Sequence, residues 1–159
     1  MTARRQQSTL RPPTLVGSTT WRPQMLRDFP LSARIAASDI ARAREWYETR
    51  LGLTPETEEM GGMALWYRAG PTWFLLYQTE AAGTAKNTVG GWEVDDLDTT
   101  MSDLRSRGVA FEEYDFGNGM ATVRGVMTVE GHRAAWFKDS EGNIFELTDS
   151  VMHASDADR

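Results

Sequence analysis

The 159-residue chain contains no cysteine, which excludes disulfide bonds, thiolate nucleophiles and cysteine metal sites, and leaves the redox compartment open. It has only two histidines, His132 and His153, so few side chains are available for an imidazole metal site. No apolar run approaches the roughly 20 residues that cross a bilayer, and none resembles the apolar core of a secretory signal. We therefore expect no membrane partner.

Lysine is also scarce, and the charge is unevenly distributed. Residues 1–27 contain five arginines and no acidic residue, a net charge of +5. Subtracting those five from the 17 basic residues leaves 12 against 23 acidic ones, so the remainder carries −11. Phosphate binding needs clustered Lys and Arg, so this acidic body predicts no nucleic-acid partner.

The composition predicts one folded region between two flexible ends. Residues 1–30 combine Arg, Ser, Thr and Gln with four prolines and no periodicity, which is typical of a flexible leader. An Arg-rich leader also resembles an organelle transit peptide, but Pro12-Pro13 interrupts the helix that such a peptide forms. We expect a cytoplasmic protein with a domain over residues 31–150 and a flexible tail over 151–159.

Within that domain the predicted elements repeat. A strand over 33–37 precedes a helix that Asp39 caps and Gly52 ends, and strands follow at 53–58, 63–68 and 73–79. A strand over 88–94, a helix capped by Asp96 and ended by Gly108, a strand over 109–114 and a final hairpin repeat this order. The two capping aspartates are 57 residues apart (96 − 39), which indicates two modules, about 32–80 and 88–149.

The final hairpin spans Arg133 to Thr148, with a turn at Asp139-Ser-Glu-Gly-Asn143. On its return strand, Glu146 lies between Phe145 and Leu147, so strand alternation sends this carboxylate to the opposite face from its apolar neighbours.

Three motifs together resemble the vicinal oxygen chelate (glyoxalase/bleomycin-resistance/dioxygenase) superfamily. They are the strand, capped helix and Leu-Gly exit over 35–53, the Glu93-Val-Asp-Asp-Leu-Asp98 segment, and the Phe137–Leu147 hairpin. The resemblance implies an α+β fold of two βαβββ modules, whose strands form a cup-shaped mixed sheet with helices on the outer face. It covers residues 32 to 150.

The resemblance also implies where a metal site would lie. Metal-dependent members of this family have a histidine on the first strand of each module and a glutamate on the last strand. The matching positions are Ser32, Val89, Tyr77 and Glu146. Only Glu146 is a strong metal ligand, and His132 is interpreted as a histidine of a turn or cleft edge. The sequence therefore predicts no metal site and no cofactor.

Strand alternation then predicts what lines the cup. Arg34, Glu93 and Glu146 point inward with two aromatic side chains, Trp73 and Tyr77, and Trp66 is a further candidate for stacking on a ligand. We expect Arg34 to pair with Glu93 or Glu146. Either this pair is structural, or it fixes the polar groups of an aromatic or apolar ligand that stacks on the aromatic residues.

Four functions remain open, and the first is a metal-independent protein that binds a small aromatic or apolar molecule, as a homodimer. The second is a metal-independent lyase or isomerase with Glu146 or Glu93 as general base and Arg34 holding an oxyanion. A metal-dependent glyoxalase or dioxygenase is less favoured, and an inert scaffold is the fourth. The glycine-punctuated segment 117–131 is predicted to be a lid over the cup or a dimer contact.

Overall fold

The computed structural model describes residues 25–26 and 29–149. The contacts within the chain divide it into two units, Met1–Pro30 and Leu31–Arg159. The predicted leader lies almost wholly outside the described residues and the predicted tail lies wholly outside them, so the flexibility of both stays a prediction. Among the described residues, every helix is too short or too polar to span a membrane.

Two modules of similar element order make up the described part of the second unit. The first module contains, in chain order, β1 (Ala33–Ala37), α1 (Ile40–Trp46), a π-helical turn (Tyr47–Leu51), β2 (Thr57–Glu59), a 3-10 turn (Met60–Gly62), β3 (Ala64–Ala69) and β4 (Thr72–Gln78). The second contains β5 (Thr88–Glu93), α2 (Leu97–Ser106), β6 (Asp115–Gly117), β7 (Met120–Ala121), β8 (Val126–Val129), β9 (His132–Lys138) and β10 (Ile144–Thr148).

Each module builds one mixed four-stranded sheet. The strand orders are β1-β4-β3-β2 and β5-β10-β9-β8, so the two sheets have the same topology. The first strand of each module runs parallel to the last one, and the other neighbours are antiparallel. The edge strands β1 and β5 lie against each other. The α+β fold of two βαβββ modules is therefore confirmed.

Strand alternation places the core between the sheets and the helices. On this outer face Ile35, Tyr67 and Leu76 are almost fully buried, as are Phe137 and Phe145 of the second sheet. Their neighbours along each strand point to the opposite face, which we call the cup face.

Both helices begin and end as the sequence predicts. The Asp39 side chain accepts from the backbone N–H of Arg42, and the Asp96 side chain accepts from that of Thr99. These bonds satisfy amides that have no partner within the helix. The first helix ends at Gly52, whose φ of +70° is left-handed.

The turn between β9 and β10 joins the two modules. Its Glu141 carboxylate accepts from the backbone N–H groups of Ser38 and Asp39 and from the guanidinium of Arg42. The Asn143 amide donates to the carbonyl of Ala36. The same turn that makes the hairpin therefore anchors the second module to the start of α1.

The predicted strand over 109–114 is not formed. Phe111 makes a single antiparallel bridge to Phe137, and Glu112 donates to the carbonyl of Trp136. The rest of that edge of β9 pairs with β8. The segment that pairs with this edge of β9 is thus interrupted by an inserted hairpin, β6–β7. No hydrophobic periodicity in the sequence indicates this hairpin. The first module differs less, since its predicted strand at 53–58 is a shorter β2 displaced toward residue 59.

Candidate functional site

The cup face of the first sheet carries an arginine among aromatic side chains. Arg34 pairs with Leu75, and Leu75 pairs with Trp66, so the three side chains form one row across the sheet. The guanidinium carbon of Arg34 lies 4.8 Å from the centre of the Trp66 ring, a cation–π distance. Trp73 and Tyr77 lie on the same face and are 42% and 36% exposed. Alternation therefore places these predicted residues on one surface.

Arg34 does not make the expected ion pair. Its guanidinium donates to the Ser32 hydroxyl at 2.5 Å and to the carbonyls of Ser32 and Ala33. Within residues 29–149 it forms no salt bridge with Glu93 or Glu146. The expectation was wrong because Trp66 and the adjacent chain hold the guanidinium over its own sheet.

Glu146 occupies the corresponding surface of the second sheet. Its neighbours across the strands are Gly91 on one side and Trp136 on the other. The carboxylate is half-buried and accepts no hydrogen bond from the described residues. Burial consequently raises the pKa of Glu146 above its ordinary value. Glu93 lies on the same face at the exposed end of β5.

The structure adds an aromatic cluster that the sequence reasoning missed. Trp136 packs against Tyr114 and Phe116, with ring centres 6.0 and 5.4 Å away. These rings line a cavity of about 400 Å³, together with Ile144 and three polar residues, Lys86, Asn87 and Thr88.

One residue of the cavity wall, Tyr114, has an unsatisfied polar group. The Tyr114 hydroxyl is buried and has no hydrogen-bond partner among the described residues. Burial raises the pKa of this phenol. A buried hydroxyl without a partner is uncommon and costs free energy, so a ligand oxygen or nitrogen that reached it would satisfy it.

Part of this cluster could have been found from the sequence. Hairpin pairing sets Trp136 opposite Glu146, and paired residues share a face. Tyr114 and Phe116 carry no such signal, because their position depends on the inserted hairpin.

The positions of the family's metal ligands do not form a metal site here. Glu146 keeps the predicted face, whereas Ser32 precedes β1 and Val89 lies at a register shift of β5 and packs against the core. The register also shows that the counterpart of Glu146 in the first sheet is Leu75. Gly91 lies 57 residues after Arg34 (91 − 34), so the row of Gly91 and Glu146 in the second sheet corresponds to the row of Arg34 and Leu75 in the first. The prediction that Tyr77 is the counterpart of Glu146 was therefore wrong by two residues. Serine, valine and leucine cannot complete a ligand set with one glutamate.

The remaining donors do not change that outcome. Among residues 25–26 and 29–149, no three His, Cys, Asp or Glu side chains lie close enough to hold a metal ion. His132 opens β9 at the outer end of the β8–β9 hairpin, where it pairs with Val129. The side chains present therefore do not fit the metal that the family's metalloenzymes use.

Comparison with solved structures shows the fold. A bleomycin resistance determinant encoded on transposon Tn5 superposes with a TM-score of 0.58 at 16% identity, covering 78% of this chain and 99% of that one. A bleomycin-binding protein in complex with bleomycin gives 0.57 at 16% identity, covering 77% and 98%. The fosfomycin resistance protein FosX from Listeria monocytogenes, a mutant with Mn(II) and dihydroxypropylphosphonic acid, gives 0.54 at 14% identity, covering 77% and 91%.

The sequence itself gives the family. No curated protein matches the chain. Residues 30–147, most of its length, match the sequence profile of one family. With the twin βαβββ modules and the shared topology of their sheets, this match shows that the chain belongs to the glyoxalase/bleomycin resistance protein/dioxygenase superfamily.

Proposed function

We propose that the protein binds a small aromatic or apolar molecule on its cup face, without a metal ion. The observation that carries this proposal is the cavity of about 400 Å³ walled by Tyr114, Phe116 and Trp136. Its volume lies within the range of small-molecule sites, which are mostly apolar with a few polar groups. Trp136 of its wall pairs with Glu146 across the strands. The family's other ligand positions hold Ser32 and Val89, which supports binding by side chains alone.

Aromatic stacking supplies the main attraction in this proposal. A planar ligand would lie against Trp136 and Phe116, because ring pairs favour offset or edge contacts at 4.5–7 Å. Glu146 and the Tyr114 hydroxyl would fix its polar groups. The name of the bleomycin-binding relative, whose structure contains that ligand, supports small-molecule binding at the level of the fold.

The first sheet offers a second set of ligand contacts. The proposed contacts are Arg34, Trp66, Trp73 and Tyr77, with Glu93 at the end of the neighbouring strand β5. Trp73 and Tyr77 are the more exposed of these aromatic residues. We infer that a second copy of the chain covers them and that the protein is a homodimer with a shared cleft. Light scattering on purified protein tests this, and a monomer at all concentrations would contradict it.

The segment 117–131 begins next to the wall of the cavity. It contains β7 and β8 and follows directly on Phe116, which contacts Trp136. Its predicted role as lid or dimer contact stays open. Protection of this segment from hydrogen exchange by ligand alone would favour a lid, whereas protection that follows protein concentration would favour a dimer contact. A cytoplasmic location likewise stays part of the proposal.

A metal-independent enzyme is the second candidate, and one observation favours it. Burial raises the pKa of Glu146, which brings a carboxylate closer to the range of a general base. In this alternative Glu146 or Glu93 removes a proton from a bound substrate, and Arg34 stabilises the negative oxygen that results. Turnover that persists in Glu146→Gln would reject Glu146 as the base.

Thermal-shift screening with planar aromatic compounds tests the main proposal, followed by calorimetry on the compounds that raise the melting temperature. Trp136→Ala should weaken binding by about 1.5–3 kcal/mol, roughly 10- to 150-fold in Kd, because it removes one wall of the cavity.

The matched control is Trp46→Ala. Trp46 lies on α1 and stacks on Phe137 at the outer face, so its loss should leave affinity unchanged. Metal analysis completes the test. A tightly bound stoichiometric metal, or binding abolished by a chelator, would contradict the proposal.

A further inference from the structure

The outer face of the fold contains a second pocket, which the comparison of the two modules explains. Helix positions correspond at an offset of 57 residues, so Tyr47 of the first module matches Leu104 of the second. Strand register matches Arg68 with Lys138 and Ala69 with Asp139. Corresponding positions of the two modules can therefore be compared directly.

At the first helix, the space beside the sheet is filled by the β9–β10 turn. The Tyr47 hydroxyl donates to the Asp139 carboxylate at 2.9 Å. Glu141 and Asn143 fill the rest of this space. Asp139, Glu141 and Asn143, which we call the plug, are all buried. The side chains of Tyr47, Asp139, Glu141 and Asn143 all have hydrogen-bond partners.

At the second helix, the corresponding plug is missing. The β3–β4 turn has only Gly70 and Pro71 between its strands, and Ala69 stands where the other module has Asp139. Leu104 replaces the tyrosine that would hold such a plug. The space left open is a pocket of about 310 Å³.

The walls of this outer pocket are almost entirely apolar. They are formed by Leu51, Leu53, Ala69, Gly70, Trp92, Val94, Leu104, Phe137 and Leu147. Thr100 also lines the pocket, but its hydroxyl donates to the carbonyl of Asp96. Trp92 is only partly buried: its ring packs on Phe137 at 6.1 Å and on Phe145 at 5.1 Å, and the residue also lines the pocket.

Among the described residues that line the pocket, Arg68 is the only charged one. Its Nε donates to the carbonyl of Gly70 at 3.1 Å. Its counterpart Lys138 pairs with Glu112, but Arg68 pairs with no carboxylate within residues 29–149. Arg68 shares its row with Trp73 of the cup face, but the bond to Gly70 turns its guanidinium toward the turn that lines the outer pocket. Its terminal nitrogens can bind an anion there.

We propose that the outer pocket is a second small-molecule site, separate from the cup, for an aromatic carboxylate of about two fused rings. An apolar cavity of about 150 Å³ holds one benzene ring, and the outer pocket has about twice that volume. The rings lie between Trp92 and the leucines, and the carboxylate binds the terminal nitrogens of Arg68. This assignment does not depend on what the cup binds.

Proton–nitrogen NMR with 2-naphthoate as probe tests the proposal. The chain has six tryptophans, and Trp92→Phe identifies the indole signal of Trp92 by its disappearance. In the wild type, 2-naphthoate should shift that signal saturably, with the same Kd in Trp136→Ala, which alters only the cup.

Two variants address the pocket directly. Arg68→Met keeps the aliphatic stem and should weaken 2-naphthoate binding on the order of tenfold, while leaving the affinity of neutral 2-naphthalenemethanol unchanged. Ala69→Leu should fill the pocket and abolish the shift for both compounds. Because Arg68→Met leaves the core intact, it decides the question even if Ala69→Leu misfolds.

Three results would overturn the proposal. One is a Trp92 signal that does not respond to 2-naphthoate at millimolar concentration. Another is loss of the response in Trp136→Ala with retention in Arg68→Met, which would place the probe in the cup. The third is a Trp92 signal that responds to protein concentration and not to the probe, which would mean that a second copy covers the pocket.

Discussion

Replacing Glu141 by glutamine should destabilise the protein more than any other single loss of charge at the joint between the modules. The Glu141 side chain is fully buried, and its carboxylate accepts six hydrogen bonds. The donors are the backbone N–H and hydroxyl of Ser38, the backbone N–H of Asp39, Nε and Nη2 of Arg42, and the hydroxyl of Ser140. Glutamine offers one acceptor oxygen to the same donors and turns an amide N–H toward the others.

The magnitude follows from the pKa. Burial alone would raise the pKa of Glu141, but the bonds from Arg42 and Ser38 outweigh it and lower the pKa from 4.5 to about 2. A lowering of that size corresponds to about 3 kcal/mol of stability. Because the folded-state pKa is depressed, this stability is fully present above about pH 4.5 and is lost as the pH falls toward 2.

Urea denaturation of the wild type and Glu141→Gln between pH 7 and pH 3 measures this difference. We expect a gap of about 3 kcal/mol at pH 7 that narrows below pH 4.5. Asp103→Asn is the control, because its partner Arg107 is one turn away on the same exposed surface. Its effect should stay below about 0.5 kcal/mol. A gap under 1 kcal/mol, or one independent of pH, would refute the reasoning.

Three further predictions concern the cup and the turns, and the third compares two substitutions. Glu146→Gln should stabilise the protein at pH 7, because burial raises the pKa of the carboxyl and so penalises its charged form; the gain should fade as acid protonates the wild type. A constant difference across an acid titration by urea denaturation would argue against this. Tyr47→Phe removes a hydroxyl that donates to a buried carboxylate and should cost about 1.5–3 kcal/mol in the same assay; an unchanged midpoint would show that the bond contributes nothing. Gly83→Ala combines a left-handed φ of +68° with a clash against the Glu141 carbonyl, whereas Gly70→Ala has only the left-handed φ, +55°. The first should cost at least about 1 kcal/mol more than the second, and equal midpoints would mean that the turn moves aside.

The cup and the outer pocket are formed by different features of the chain. The cup is built from strand residues whose direction follows from alternation alone, together with one inserted hairpin. The outer pocket exists because a two-residue turn in one module replaces the polar plug of the other. The two proposed sites can therefore be tested by separate substitutions.

The sequence by itself determined the repeat and the direction of most strand side chains. The capping aspartates, Asp39 and Asp96, begin their helices through bonds to residues three positions away, and such local bonds can be read from spacing. Alternation likewise placed Arg34 and Glu146 on the cup face, because the two-residue period of a strand needs no knowledge of its partners.

Only the tertiary structure decided which of these side chains meet. The guanidinium of Arg34 lies over Trp66 instead of reaching a carboxylate, because sheet register sets Leu75 and Trp66 in its row. The aromatic cavity depends on the insertion of β6–β7, which brings Phe116 to Trp136. Contacts between distant segments depend on how elements pack, and a period along one strand contains no record of that packing.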